Sequence, residues 1–401
     1  MQKPIYICIT SYFPTPESWR CAFIFDQVKA IQRTGMYRVF VVNTDAQCDY
    51  NYQGVEVVAL HEVRRGLILA PFVFEHINVR RLLKLFVKRG IAVSDIAVVH
   101  THLIPVSYFA AHLKKLNPKI KAMVQFHDAD PYGTLVSERC NWFGVKRIAY
   151  FRYHRKLAEQ MDACVAVSEN VKRVAIDCPR QMVFNKYPPV RKSQHDLRYC
   201  RTAKLKKIVV LHNGVDSRQF NRFGGSGRKS EVFTIGAIGN FRDLKDYKTL
   251  FKALNEIKDR LGKWHIKVIG TGKTRAECER FISEKGLAKY IEFCGEVAHE
   301  RLPEFYRSID LFVLPSYFEG FGCVFTESWA CGAPFITCEG QGMDDLIYNA
   351  DRKLWLCKEC DPTDLAEKIL SFYSKRSSQR LCAEIDIDVL VSKFLDVVAD
   401  I

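Results

Sequence analysis

The sequence has no apolar run long enough to cross a membrane. Its longest run, residues 66–74, contains a proline, whereas a spanning helix needs about 20 residues. The N-terminal apolar segment, residues 5–9, is also shorter than a signal-peptide core. Both absences predict a cytoplasmic chain. The 15 cysteines of the 401-residue chain are therefore expected to be buried small side chains rather than a disulfide framework.

Acidic residues are scarce in the first half of the chain. Residues 1–200 contain 29 Lys and Arg but only 16 Asp and Glu, a formal charge of +13, out of +15 for the whole chain. A basic half attracts nucleic acid, acidic lipid headgroups or a phosphorylated substrate, unless it is simply a solvated surface. The chain has no zinc module, recognition helix or aromatic-rich strand motif. We therefore expect no specific nucleic-acid partner.

Short apolar strands alternate with helical patterns along the chain. The predicted strands of the first half are residues 5–10, 38–43, 97–100, 122–126 and 163–167. The pattern restarts with predicted strands at residues 208–211, 233–239, 265–269, 290–293, 310–315 and 334–338. This alternation predicts an α/β fold with two doubly wound parallel sheets, in which ligands bind beyond the carboxyl ends of the strands.

The division into domains follows from composition. Residues 179–207 are rich in Pro, Lys and Arg and have no clear periodicity, so the junction between domains is expected there. The predicted domains are residues 1–205 and 206–382, and a C-terminal helix over about residues 383–401 is expected to complete the first. With 48% hydrophobic residues, both can form a core without metal or disulfide.

Three motifs resemble ligand sites without matching them fully. Gly270 and Gly272 follow a strand, but the first glycine of a P-loop is missing, so we predict a tight turn. His100 and His102 have no carboxylate cluster beside them and are expected to line the core or a cleft. Asp128 and Asp130 follow a strand and could hold a divalent cation that carries a diphosphate. The preferred alternative for this pair is helix capping.

The most informative segment is residues 315–336, PSYFEGFGCVFTESWACGAPFI. Glycines beside Glu319 let a ligand approach the backbone closely. The chain then enters a helix, whose N-terminus favours phosphate oxygens. Glu327 follows eight residues after Glu319, inside the predicted helix. Since carboxylates accept hydrogen bonds from hydroxyl groups, the pair suits sugars and ribose.

This segment resembles the signature of retaining glycosyltransferases of the GT-B fold, specifically family 4, whose glutamates have the same E-x7-E spacing. Further motifs resemble that family in the expected order: residues 162–168, 212–216 (HNGVD), 269–272, 291–295 and 302–306. The resemblance implies two Rossmann-like domains that face each other across a cleft. The first domain would lie on the acceptor side, and the second would bind the nucleotide-sugar donor.

The resemblance also implies a role for each site residue. Glu319 would bind hydroxyls of the donor sugar, and Glu327 the ribose. The amides of Phe321, Gly322 and Cys323 would bind the donor diphosphate. Lys245 matches the family lysine that binds the diphosphate; Arg242 is expected to help, since Asn240 stands where many relatives carry an arginine. His127 matches the catalytic histidine beside the anomeric centre, the alternative being a buried strand-end histidine.

The implied activity is transfer of a sugar from a nucleotide-diphosphate sugar, with retention of configuration and without a metal or other cofactor. Cations and amides would offset the charge of the leaving group. The expected acceptor is a saccharide or lipid-linked glycan of surface polysaccharide or glycoconjugate synthesis. Two alternatives remain open: a metal-dependent transferase that uses Asp128 and Asp130, and a non-catalytic nucleotide-sugar-binding protein.

The match is weaker in the first domain. Residues 17–22 (ESWRCA) replace a glycine-rich loop of many relatives, and residues 340–345 lack their usual glycine pair and glutamate. Between residues 80 and 89, five cations alternate with apolar side chains. This pattern predicts either a basic amphipathic helix on an anionic membrane surface or a helix packed into the domain with a solvated basic rim.

Overall fold

The computed structural model describes residues 3–63, 70–127, 144–177, 204–223 and 231–401. The chain divides into two compact units. The first comprises Met1–Asn213 together with Ile387–Ile401, and the second comprises Gly214–Asp386. Among the described residues, no helix is both long enough and apolar enough to span a bilayer.

Eight strands form the sheet among the described residues of the first unit. They are β1 (Ile5–Thr10), β2 (Arg38–Asn43), β3 (Tyr50–Tyr52), β4 (Val55–Ala59), β5 (Ile96–His102), β6 (Lys121–Phe126), β7 (Ala163–Ala166) and β8 (Ile208–Val210). Their order is β3-β4-β2-β1-β5-β6-β7-β8. Neighbouring strands are parallel except for the hairpin β3–β4. Helices lie between the other consecutive parallel strands, whereas the connection from β2 to β4 contains β3.

The helices of this unit cover the sheet with apolar faces. They are α1 (Ala22–Arg33), α2 (Ala70–Lys88), α3 (Ser107–Leu116), α4 (Gly144–Gln160), α5 (Glu169–Asp177) and the C-terminal α12 (Ile387–Ala399). Val28 and Ile31 of α1 and Val391 and Phe394 of α12 lie in one buried cluster with residues of β1 and β2. Arg33 also forms an ion pair of 2.6 Å with Asp388. The C-terminal helix therefore belongs to the core of the first unit.

The second unit is built on a six-stranded parallel sheet. Its strands are β9 (Phe233–Ile238), β10 (Trp264–Ile269), β11 (Ile291–Gly295), β12 (Leu311–Val313), β13 (Phe335–Cys338) and β14 (Leu356–Cys357), in the order β11-β10-β9-β12-β13-β14. Its helices are α6 (Tyr247–Ile257), α7 (Arg275–Glu284), α8 (Leu302–Arg307), α9 (Cys323–Ala330), α10 (Arg352–Trp355) and α11 (Pro362–Lys375). All six residues of β9 are buried, as expected for a central parallel strand.

The prediction of two parallel α/β sheets is confirmed, but two details differ. Residues 208–211, assigned from the sequence to the second domain, contain β8 (Ile208–Val210), which pairs with β7 of the first sheet. The hairpin β3–β4 was not predicted because its strands are only three and five residues long. Helix α9 begins at Cys323 and contains Glu327, as predicted.

Candidate active site

The carboxyl ends of β9 and β12 are neighbours, because these strands pair in parallel. The chain after β9 forms a short 3-10 helix at Asp243–Lys245, and the loop after β12 carries Glu319. The Nζ of Lys245 donates a hydrogen bond to Oε2 of Glu319, and the two side chains are only 23% and 15% exposed. The fold therefore brings together two of the predicted site residues, at the sheet edge where ligands of such sheets bind.

A buried glutamine holds the Glu319 loop in place. Oε1 of Gln341 accepts a hydrogen bond from the amide of Glu319 at 2.9 Å, and its Nε2 donates to Oε1 of Glu359 at 2.7 Å. Gln341 is only 1% exposed, so both bonds are shielded from water. This residue was not identified from the sequence, where its segment appeared only as a departure from the family pattern.

The turn into α9 leaves no room for a side chain at Gly322. Its φ is +91°, and a Cβ there would lie 2.9 Å from Cγ of Glu319 and 2.7 Å from the Phe325 ring. Gly322 is the N-cap residue of α9, at the positive end of the helix dipole. The predicted amides of Phe321, Gly322 and Cys323 therefore lie at a helix N-terminus next to Glu319.

Glu327 lies inside α9 and is almost fully buried. Its Oε2 accepts a hydrogen bond of 2.9 Å from the hydroxyl of Tyr306, and its Oε1 lies 3.3 Å from Nε2 of His299. Burial, followed by the charge of Glu327, raises the pKa of Tyr306 well above its usual value, so the hydroxyl stays protonated and donates. Neither partner was identified as a site residue from the sequence.

Two glycines after β10 support the loop that carries Lys245. Gly270 and Gly272 have φ values of +134° and +148°, and a Cβ at Gly270 would lie 2.9 Å from the carbonyl carbon of Gly239. The amide of Phe241 donates to the carbonyl of Thr271 at 2.8 Å. The predicted tight turn is confirmed, and its glycines allow the close approach of the two loops.

The predicted diphosphate-binding cations lie on one turn of this loop. The amide of Lys245 donates to the carbonyl of Arg242 at 3.0 Å. The Arg242 side chain is exposed. The next residue, Asp246, caps α6, since its carboxylate accepts a hydrogen bond of 3.2 Å from the amide of Thr249.

His127 lies in the first unit, directly after β6. Its Nε2 lies 2.7 Å from Nδ1 of His102, at the end of β5. The Phe23 ring packs against it with a centroid distance of 4.7 Å. Burial lowers the pKa of His127 to about 3, which keeps the imidazole neutral at pH 7. His100 and His102 are both fully buried, so of the two predicted places, the core or a cleft, they lie in the core.

Asp128 and Asp130, the alternative cation-binding pair, lie outside the described residues. Within the described ranges, no group of three or more His, Cys, Asp or Glu side chains is arranged to hold a metal ion.

Two family profiles match the chain in succession. Residues 219–386 match the family described as glycosyl transferases group 1. Residues 23–177 match the glycosyl transferase 4-like domain. The first match contains Lys245, Glu319 and Glu327, and the second contains His127. The chain belongs to the group 1 glycosyltransferases.

A curated relative of this glycosyltransferase is an uncharacterized glycosyltransferase of Methanocaldococcus jannaschii. The two are 27% identical over 179 residues, which cover 44% of this chain and 47% of the relative. The chain thus spans less than half the length of the curated relatives it matches.

Solved structures of other proteins show the same fold over nearly the whole chain. Sucrose-phosphate synthase from Thermosynechococcus elongatus superposes with a TM-score of 0.73 at 15% identity, covering 99% of this chain and 98% of that one. HepE of Anabaena, in complex with UDP and glucose, gives a TM-score of 0.65 at 14% identity and covers 99% and 100%. The predicted GT-B fold class is therefore confirmed.

Proposed function

We propose that this glycosyltransferase is a retaining, metal-independent enzyme that moves a sugar from a nucleotide-diphosphate sugar to a saccharide or lipid-linked glycan. The observation that carries this proposal is the pairing of Lys245 with Glu319 beside the N-terminus of α9. A cation, a carboxylate and helix amides in one place match the two ends of such a donor, its diphosphate and its sugar hydroxyls.

In the Lys245–Glu319 ion pair, the two charges compensate each other before the donor binds. A diphosphate carries negative charge, so on binding it would take Lys245 as its counter-ion and release the Glu319 carboxylate to accept hydrogen bonds from sugar hydroxyls. Arg242, on the same turn, and the amides at residues 321–323 would bind the remaining phosphate oxygens. HepE of Anabaena, which has the same fold, binds UDP and glucose, and this supports a nucleotide sugar as the donor.

Glu327 is proposed to bind the ribose. Tyr306 and His299 already hold its two oxygens in place, and each carboxylate oxygen can accept a second hydrogen bond. A carboxylate oriented in advance binds vicinal hydroxyls without losing side-chain freedom on binding.

The proposed reaction breaks the bond between the anomeric carbon and the diphosphate oxygen, and the electron pair leaves with the nucleoside diphosphate. The acceptor hydroxyl attacks from the same face, and its proton passes to the leaving phosphate oxygen. Negative charge develops on the diphosphate, where Lys245, Arg242 and the helix amides stabilise it in place of a divalent ion. His127 would contact the sugar. The resemblance to the retaining family supports this course.

Binding of the donor is expected to stabilise the protein. A nucleotide-diphosphate sugar at a hundred-fold excess over its Kd adds about 2.7 kcal/mol to the free energy of unfolding, so Tm rises by several degrees. Thermal melts with a panel of nucleotide sugars identify the base and the sugar. A glycan or lipid-linked acceptor plus the stabilising donor should then give a product of unchanged anomeric configuration, with full activity in EDTA.

Each alternative gives a different result in these assays. Activity lost in EDTA and restored by Mg²⁺ would favour the metal-dependent reaction through Asp128 and Asp130. If the donor binds but is neither transferred nor slowly hydrolysed, the result would favour a nucleotide-sugar-binding protein. No stabilisation by any nucleotide sugar would refute the proposed donor site.

We also propose that α2 attaches the enzyme peripherally to an anionic membrane surface on the cytoplasmic side. Leu82 and Phe86 of this helix are buried in the first unit, so they do not face lipid. The exposed face has a different composition: it carries Ile77, Arg80, Arg81, Lys84, Val87 and Lys88. Val87 is 80% exposed. Cations around exposed apolar side chains suit an anionic headgroup layer.

The double variant Lys84→Glu/Lys88→Glu is expected to bind phosphatidylglycerol vesicles at least about 30-fold more weakly, since each basic residue contributes about 1 kcal/mol at such a surface. Vesicle co-sedimentation measures this. The matched control is Lys252→Glu/Lys263→Glu, which makes the same charge change at exposed positions of the second unit. An equal loss in both variants, or binding that does not depend on anionic lipid, would contradict attachment through α2.

A further inference from the structure

Four polar aromatic side chains form a buried row from the interior of the first unit to His127. The hydroxyl of Tyr6 lies 2.5 Å from Nδ1 of His100. The rings of His100 and His102 have centroids 4.4 Å apart. Nδ1 of His102 then lies 2.7 Å from Nε2 of His127, with the two rings nearly parallel. The last hydrogen bond connects a core residue to the proposed catalytic histidine.

All three imidazoles are neutral at pH 7. Burial lowers the pKa of His100 to about 3 and that of His102 well below its usual value, and neighbouring histidines lower both further. Burial alone lowers the pKa of His127 to about 3. Each ring therefore carries one hydrogen, and its position decides which nitrogen donates and which accepts.

The position of these hydrogens follows from the ring nitrogens that have no hydrogen-bond partner among the described residues. Burial raises the pKa of Tyr6 well above its usual value, so its phenol donates to Nδ1 of His100. Nε2 of His102 and Nδ1 of His127 are buried and have no hydrogen-bond partner among the described residues. A buried N–H without a partner is less tolerable than a buried acceptor. His102 is the more deeply buried of the two rings, so its hydrogen belongs on Nδ1, where it bonds to His127.

We propose that His102 is a positioning residue, which donates from Nδ1 to Nε2 of His127 and thereby holds His127 in the tautomer with its hydrogen on Nδ1. The role in catalysis rests on the proposed function. In this arrangement the Nε2 lone pair of His127 is already used, so His127 acts on the substrate as a hydrogen-bond donor through Nδ1. It does not remove a proton from the acceptor.

Neighbouring residues hold the His102–His127 pair in this arrangement. The Phe23 ring packs against His127. Leu103, directly after His102, has a φ of +79°, which a non-glycine residue adopts only when the surrounding structure imposes it. Its amide donates to the carbonyl of Gln125 at 3.1 Å, which ties the end of β5 to β6. The backbone that carries His102 is thus fixed relative to the strand that leads to His127.

The test measures the tautomer directly. Long-range ¹H–¹⁵N spectra of protein labelled with [¹⁵N]histidine report which ring nitrogen carries the hydrogen, and a His127→Gln variant assigns the signal. We expect the Nδ1-H tautomer for His127 in the donor-free protein. His102→Phe should convert His127 to a mixture of tautomers and lower kcat about tenfold, the effect of one hydrogen bond. His102→Asn keeps a donor, because its side-chain amide nitrogen takes the place of Nδ1. This variant should restore most of the Nδ1-H tautomer of His127 and most of kcat.

Tyr6→Phe is the matched control, because it removes an equally buried hydrogen bond from the same row. It should lower Tm without changing the His127 tautomer or kcat. A His127 signal with its hydrogen on Nε2 in the unmodified protein would overturn the proposal, as would an unchanged tautomer in folded His102→Phe. The spectra need no donor, so absence of transfer with every nucleotide sugar would refute the proposed function and not the tautomer assignment.

Discussion

Replacing Lys245 by alanine is expected to lower kcat for sugar transfer by about 10²- to 10³-fold, the usual effect of removing one preorganised electrostatic contact in an active site. The reason is that Lys245 would stabilise the charge that appears on the diphosphate as the sugar leaves. Steady-state kinetics with the preferred donor measure the loss, and circular dichroism checks that the fold is intact.

Lys248→Ala is the matched control. Lys248 lies three residues further along the chain and pairs at the surface with Glu277 at 2.6 Å, and its removal should leave kcat unchanged. A second comparison concerns Glu319, which loses its counter-ion in Lys245→Ala. If that unpaired carboxylate caused the loss, Lys245→Ala/Glu319→Gln would recover activity; we expect no recovery. A Lys245→Ala enzyme of normal kcat would refute the assignment.

Gly342→Ala is expected to lower kcat/KM by about 10²-fold, because an ångström of misplacement in a site can cost this much. The amide of Gly342 donates to the carbonyl of Glu319 at 3.2 Å. A Cβ at 342 would overlap the carbonyl oxygen of Gly320 and lie 2.6 Å from the Cα of Phe321. These are backbone atoms, so the whole Glu319 loop has to move. Kinetics at varied donor concentration measure the loss.

Gly340→Ala separates this displacement from a general loss of stability. Gly340 lies in the same loop with a φ of +70°, but a Cβ there would meet open space. Alanine at 340 costs about 1–2 kcal/mol of backbone strain, so Tm should fall while kcat/KM is kept. If Gly342→Ala and Gly340→Ala lose activity equally, the contact between Gly342 and Gly320 does not position the site.

The sequence was most informative where the signal is local. The strands 5–10 and 38–43 agree with β1 and β2 to the residue, because a buried parallel strand is a continuous apolar run between polar turns. The sequence was least informative about which strands pair with each other in the sheets. Residues 208–211 read as a strand, but their place beside β7 depends on residues some forty positions away, and no local pattern encodes that choice.

The same distinction applies to the site. The spacing of Glu319 and Glu327 and the position of Lys245 after a strand could be recognised, because each lies within a short motif. Gln341, Tyr306 and His299 could not, because each acts through a partner more than twenty residues away. A buried glutamine or tyrosine has no distinctive pattern of its own.

The sequence by itself thus determined the two α/β domains, the family and the charged residues of the candidate donor site, since apolar periodicity and short motifs are properties of neighbouring residues. Only the tertiary structure decided which sheet β8 joins, how Gln341 and Gly342 hold the Glu319 loop, and that His102 contacts His127. These features depend on burial and on contacts between segments far apart in the chain, where the free energy of packing, and not local preference, selects the arrangement.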